Sequence, residues 1–295
     1  DGDLTFDQVR SHNNDANVHV ASTLTATFTG SVDTTAVSKR LIKWGPGTMV
    51  MANADNYTNG TLLYDGALRA SADAANLPST YLRFNTADAG VLESSGTFDR
   101  ALGTGNGQVY WSGSGGFSAY GGELTVDLNG DGATSRNWTD TRFVGSGKAL
   151  VFGSLTANDT VSFVDNIALT GAEREIKVVD NPDSDADKAA FSGVLSGGGA
   201  SALRKTGDGT LLLNNDNTFA GPLTVDAGTL GGAGSVANDA AFAAGTGIAP
   251  GGSVGTVTVG GDLTLADVIY DWEASTEELH DLVHVGGDLI AVGGA

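Results

Sequence analysis

Apolar and polar residues alternate along most of this chain with a period of two. Val18, Val20, Leu24, Ala26 and Phe28 are interleaved with polar neighbours ahead of Gly30. Met49 and Met51, Leu211 and Leu213, Val257 and Val259, Leu263 and Leu265, and Val283 and Val285 repeat the spacing. Each pair predicts a strand of about 3–6 residues with one buried face. Helical periodicity is almost absent. Its best candidate is Ser275–Leu279, one turn at most.

The strands recur as a unit. Residues 41–68, LIKWGPGTMVMANADNYTNGTLLYDGAL, return as 203–230, LRKTGDGTLLLNNDNTFAGPLTVDAGTL, at a constant offset of 162 without a gap. Leu41/Leu203, Lys43/Lys205, Gly45/Gly207, Gly47/Gly209, Thr48/Thr210, Asn53/Asn215, Gly66/Gly228 and Leu68/Leu230 are identical, and Tyr57 is matched by Phe219. In the second copy Gly207 and Gly209 turn the chain, and Thr210–Leu213 is a strand with Leu211 and Leu213 inward. Asn214, Asn215 and Asn217 make a polar corner, Phe219 points back in, and Leu223 and Val225 form the next inward pair. Short strands punctuated by glycine at a repeating interval predict a solenoid. A coil of about 20–25 residues, stacked at about 4.8 Å, makes the chain a rod of about a dozen coils and roughly 60 Å. The expected architecture is one elongated all-β parallel β-helix over 1–295, with repeat copies at 28–68 and 191–230 and a terminal segment at 247–289. An antiparallel sandwich is the competing fold, since Asn59-Gly60, Asp65-Gly66 and Asn129-Gly130 are hairpin dipeptides.

Composition agrees with strands and turns. Glycine accounts for 44 of 295 residues and proline for 5. The net charge is −20, from 35 acidic and 15 basic residues. With no basic patch, nucleic acid and anionic membrane are poor partners. The chain has no cysteine, hence no disulfide framework and no thiolate metal site. No run of 18 apolar residues is present, so no membrane insertion by a helix of this segment is expected. No signal peptide precedes Asp1, as in a chain already processed or cut from something longer.

At this point the residues resemble a known family. FSGVLS followed by LRKTGDGTLLLNNDNTFAGPLTVDAGTL (Phe191–Leu230) is similar to the autotransporter-associated β-strand repeat, also called the passenger-associated transport repeat. Phe28–Leu68 resembles a diverged copy. GFSAYGGELTVDL (Gly116–Leu128), ALVFGS (Ala149–Ser154), VSFVDNIALTG (Val161–Gly171) and Arg174 resemble the stretches upstream of such repeats. Gly247–Leu265 and His280–Leu289 resemble the segment that follows the last one. Residues 72–112 match poorly; LPSTYLRFN and QVYWSGSG read as ordinary strands with a longer loop between them. The resemblance implies a right-handed parallel β-helix, extracellular or displayed on a bacterial cell surface, structural or adhesive rather than catalytic.

Candidate chemistry is sparse. Asp127-Leu128-Asn129-Gly130-Asp131-Gly132 has the D-x-N-x-D-G spacing of a calcium loop. Asp127, Asn129 and Asp131 are the candidate metal ligands, although the twelfth position is Trp138 where such a loop carries a bidentate Glu. The alternative is a polar turn between strands. The acidic run Asp180–Asp187 reads as a solvated loop. His280 and His284 lie on a strand, where four residues span about 13 Å, too far apart to share a metal. Arg142–Ala149 lacks the first Gly and the Ser/Thr of a P-loop. Sequons at Asn56, Asn59, Asn137 and Asn158 are expected by chance in a chain rich in Asn and Thr. Of Trp44, Trp111, Trp138 and Trp272, the middle pair flank the least regular region and are the first candidates for sugar stacking; the other reading is that they plug the core. Glu277 and Glu278 have no partner that spacing identifies.

The expectation is a non-enzymatic extracellular structural or adhesive β-helix of a bacterial surface protein, with self-association by end-to-end stacking into filaments or a surface layer. A carbohydrate-binding or carbohydrate-cleaving β-helix and a calcium-stabilised adhesion module are the alternatives. A host surface or glycan is the other expected partner; no catalytic residue and no cofactor is assigned.

Overall fold

The computed structural model describes residues 3–6, 9–10, 15–30, 32–33, 39–52, 59–70, 79–85, 89–132, 134–252, 254–276 and 279–293. Strands stack in parallel, coil upon coil. One face runs unbroken through Leu4–Phe6, Thr25–Phe28, Thr48–Met51, Ala67–Ala70, Gly90–Phe98, Gly115–Val126, Ala149–Phe152, Glu173–Val178, Ala202–Thr206, Leu223–Val225, Ala240–Phe242, Leu263–Leu265 and Leu289–Ala291. A second face continues from the far half of Gly90–Phe98 through Val161–Phe163, Lys188–Phe191 and Thr210–Leu213 to Ile269–Tyr270. Shorter parallel stacks close the third side, among them Ala16–His19 to Val109–Trp111 and Asp216–Asn217 to Leu282–Val285. The chain is a parallel β-solenoid.

The period of two follows from the pleat, which sends alternate side chains to opposite faces. In Thr25–Phe28, Ala26 and Phe28 are buried while the threonines are half-buried. One continuous apolar column fills the interior from Ala16 to Leu263. Phe152, Phe163 and Phe191 form an aromatic stack within it, with ring centroids 5.1–6.1 Å apart. Burial of each such ring contributes about 1.5–3 kcal/mol that a single coil could not capture alone.

The coils vary more in length than the predicted 20–25 residues. Register partners on the first face are as close as Leu223 and Ala240 and as distant as Gly116 and Val151. The rise per coil is fixed by the hydrogen bonds, so extra residues leave the stack as loops. The described residues of the poorly matching stretch 72–112 also obey the stack: Leu82–Phe84 pairs in register with Val109–Trp111, and Gly90–Phe98 lies between them in sequence on the first face.

The described residues of the predicted helical turn are strand instead. Ala274–Thr276 pairs antiparallel with Leu279–His280. The Asp281 carboxylate accepts from the Glu273 and Gly255 backbone N–H groups, both at 2.8 Å, and Trp272 Nε1 donates to the Asp281 carbonyl. These bonds hold the segment as a ribbon. Glu277 and Glu278 lie outside the described residues, as does the sequon at Asn56.

One loop runs along the axis instead of around it. After Phe152 the chain folds back over the outer surface of earlier coils. Asp159 bridges antiparallel to Ala119, Asn158 N–H donates to the Ala119 carbonyl, and Thr156 Oγ1 lies 3.1 Å from Thr48 Oγ1. Beneath it the fully buried Glu93 carboxylate accepts from Ser118, Ser154 and Thr156 hydroxyls and from Arg69 Nε. The Arg69 guanidinium also sits over the Tyr120 ring at 3.3 Å. Ala67, Val91, Ala149 and Val151 make a small apolar cluster on this outer surface.

Candidate functional site

The aspartate turn follows the strand that ends at Val126. Asn129 has φ of 86° and Gly130 of 63°, the left-handed pair that lets the chain reverse. The Asp127 carboxylate accepts from Gly132 N–H at 3.1–3.2 Å, and Asn129 Nδ2 donates to Asp131 Oδ2 at 2.7 Å. The sequence pattern did not point to Asp165. In the stack Phe163 lies opposite Val126, and two residues on, Asp165 Oδ2 accepts from Leu128 N–H at 2.8 Å. Carboxylate oxygens of Asp127, Asp131 and Asp165 fall within 4.8 Å of one another.

A cation already stands among these groups. Arg136 Nε donates to Asp165 Oδ1 at 2.9 Å, and its Nη2 donates to Asp131 Oδ1 at 2.8 Å and to the Leu128 carbonyl. Burial pushes the Asp165 carboxyl up to about 6, against the opposing pull of Leu128 N–H and Arg136. The Asn129 amide holds the Asp131 carboxyl below its ordinary value. Asn129 offers its nitrogen to Asp131, so its oxygen is the atom left for any further partner.

A second arrangement occurs twice. Lys43 and Lys205 are fully buried. Lys205 Nζ donates to the carbonyls of Gly207 at 2.6 Å, Ala227 at 2.8 Å and Thr206 at 3.4 Å. Lys43 Nζ donates to those of Gly45 at 2.6 Å, Asp65 at 2.9 Å and Trp44 at 3.0 Å. The acceptors match at the same offset of 162 as the sequence. In each copy one ammonium joins the glycine turn of its own coil to the turn stacked on it. Burial pulls both lysines down to about 8. The turns admit no side chain at the crossing: Gly228 has φ of 67°, and a Cβ there would lie 2.5 Å from the Gly209 carbonyl oxygen. The identity Lys43/Lys205 was visible in the sequence, but its role required knowing which carbonyls the stack brings together.

The aromatic candidates divide. Trp111 and Trp138 are core plugs, with indole N–H groups donated to the Gly115 and Gly145 carbonyls, each at 2.9 Å. Trp44 and Trp272 are the exposed pair. Trp44 stacks on Tyr64 of the next coil, centroids 3.7 Å apart and planes 25° from parallel. His284 points away from the core on a strand whose valines at 283 and 285 turn towards it. In the acidic run, Asp187 is buried and accepts from Asn181 N–H at 2.7 Å, so the loop is closed on itself.

Fold and repeated clamp together define a β-solenoid built in part from a recurring sequence unit. That unit is the passenger-associated-transport-repeat, which matches residues 41–70 and 203–231. The chain is also similar to the adhesin BmaC autotransporter of Brucella suis biovar 1 (strain 1330), at 31% identity over 147 residues. This alignment covers 38% of the chain and 4% of that protein's length. No solved structure matches the chain. The repeat match and the adhesin match both support an autotransporter passenger.

Proposed function

We propose that this chain is a non-enzymatic structural or adhesive rod of a bacterial surface protein, exposed to the extracellular medium. The observation that carries the reading is the coincidence of passenger-type repeats with one continuous solenoid face from Leu4 to Ala291. Likeness over part of its length to an adhesin supports the adhesive half. The buried carboxylates support a scaffold: Glu93 and Asp165 are tied to arginines and to hydroxyl or backbone donors, which holds coils together. The test is display of the chain on a non-adherent bacterium, scored for attachment to host cells and glycan arrays. Attachment supports adhesion; turnover of a polysaccharide by the purified chain would overturn the non-enzymatic reading.

Two subordinate readings have an observation each. Exposed Trp44, held by stacking on the half-buried Tyr64, favours glycan binding, because an aromatic ring fixed at the surface gives a sugar ring a platform. The three carboxylates near Asp127 favour calcium held by Asp127, Asn129 and Asp131. Calcium there competes with Arg136, so chelation tests it directly.

A further inference from the structure

The third side of the solenoid gathers charge that the sequence scatters. The chain has 15 basic residues against a net charge of −20, yet two arginines come to flank one tyrosine in successive rungs. Arg83 pairs in register with Tyr110. In this stack a backbone N–H donates to the carbonyl just before its register partner, as Leu82 N–H does to Gln108. Trp111 N–H donates to the Arg142 carbonyl at 2.9 Å in the same way, so Arg142 takes the rung beyond Tyr110. The Arg83 guanidinium lies 5.5 Å from the Tyr110 ring centre and the Arg142 guanidinium 5.6 Å. Leu82, Phe84, Val109 and Trp111 take the core side of their strands, which leaves Arg83 and Tyr110 on the outer side. Arg142 is exposed.

Neither arginine is neutralised. Among the described residues no carboxylate pairs with Arg83 or Arg142, whereas Arg40 is tied to Asp15 at 2.6 Å. Arg83 is anchored through Nε, which donates to Ser112 Oγ at 2.8 Å; its terminal nitrogens have no hydrogen-bond partner among the described residues. Arg142 has φ of 80°, a left-handed conformation that glycine adopts freely and a residue with a Cβ does not. Local strain is thus accepted where a guanidinium is presented. The exposed Trp44, stacked on Tyr64, lies two rungs before Arg83 on the same side.

We propose that this side of the rod binds a linear polysaccharide carrying a carboxylate on alternate sugars, laid along the axis. The two arginines stand two rungs apart, and one rung advances about 4.8 Å, close to the advance of one sugar in an extended polysaccharide. Carboxylates on alternate sugars therefore fall at Arg83 and Arg142, and the sugar between them spans Tyr110. A ring further along the same chain stacks on Trp44. A planar guanidinium meets a planar carboxylate through two parallel hydrogen bonds. Charge narrows the occupant. A net charge of −20 repels a densely charged chain such as nucleic acid or a heavily sulfated glycan. A polymer with one charge for every two sugars is repelled far less and still supplies one carboxylate to each arginine. The inference deepens the adhesive reading and rests on it.

The test is isothermal titration of the purified chain with hyaluronan oligosaccharides, against carboxyl-reduced hyaluronan, dextran and heparin. The expected result is binding of hyaluronan, none of the two uncharged polymers, and heparin no tighter than hyaluronan. Arg83→Gln and Arg142→Gln should each weaken binding by about tenfold, while Lys188→Gln, on the second face, should leave it unchanged. Arg142→Gly separates recognition from folding. It relieves the left-handed strain, so its Tm should equal or exceed that of the wild type while its binding falls as for Arg142→Gln. A wild type that ignores hyaluronan overturns the proposal, as does equal binding of the carboxyl-reduced polymer, tighter binding of heparin, or full binding by Arg142→Gly. Cell attachment is scored separately. Attachment without hyaluronan binding keeps adhesion and overturns this site; hyaluronan binding without attachment counts against adhesion and keeps the site.

Discussion

Lys205→Met removes the ammonium while keeping an unbranched side chain of similar length, and so isolates the clamp. Two of its bonds, 2.6 Å to Gly207 and 2.8 Å to Ala227, are short and charge-assisted. At about 1.5–3 kcal/mol each, their loss costs roughly 3–6 kcal/mol. Burial of the charge opposes them: a fall from 10.5 to about 8 corresponds to roughly 3 kcal/mol. The expected net loss at pH 7 is therefore roughly 0–3 kcal/mol. The pH dependence has a definite sign. Between pH 8 and 10.5 the unfolded chain holds the lysine proton and the folded chain releases it. The wild type thus gains stability relative to Lys205→Met as pH rises through that window. The assay is urea unfolding by circular dichroism, with hydrogen exchange over 203–231 as the local readout. A variant more stable than wild type at pH 7 would refute the clamp. So would a wild-type advantage that shrinks above pH 8.

Other substitutions test other parts of the stack. Gly228→Ala places a Cβ against the Gly209 and Asp208 carbonyls at positive φ and is expected to cost more than 1 kcal/mol, read as a lowered Tm. Glu93→Ala removes the acceptor shared by Arg69 and three hydroxyls; a loss of about 3–5 kcal/mol should accompany proteolytic cutting between Gly153 and Thr160, and an uncut loop would count against Glu93 holding the axial loop. Arg136→Met empties the guanidinium from the aspartate cluster, so calcium should raise its Tm more than that of the wild type; equal shifts would remove calcium from this turn. Trp44→Ala should abolish any glycan retention while leaving Tm within a few degrees, because Trp44 is 39% exposed.

The solenoid was legible because its signal is repeated: Met49/Met51 and Leu211/Leu213 carry the same alternation in the same glycine frame, and each buries one face. Asp127, Asn129 and Asp131 were legible as a turn because local spacing sets a turn. Asp165 and Arg136 were not legible as its partners. They meet it only through the register that places Phe163 against Val126, and register is a property of stacked coils. Trp111 and Trp138 drew attention as surface candidates, yet an indole whose N–H finds a carbonyl is a good core plug, and Trp44 and Trp272 are the exposed ones. Ser275–Leu279 misled because five residues carry too little periodicity to outweigh Asp281, whose carboxylate ties two backbone N–H groups into a ribbon.

The loop that lies along the axis has a mechanical consequence. Hydrogen bonds between coils point along the rod, so a pull on its ends loads them end-on and one layer after another. A solenoid held by these alone would peel under modest force, coil by coil. The segment from Ser154 to Asp159 crosses those layers and joins Thr156 to Thr48, Ser154 and Thr156 to Glu93, and Asn158 and Asp159 to Ala119. It shares the load across several layers at once, like a splint on a stack of plates. Under tension the rod should therefore yield first elsewhere, and the section from Thr48 to Asp159 should come apart as a single block.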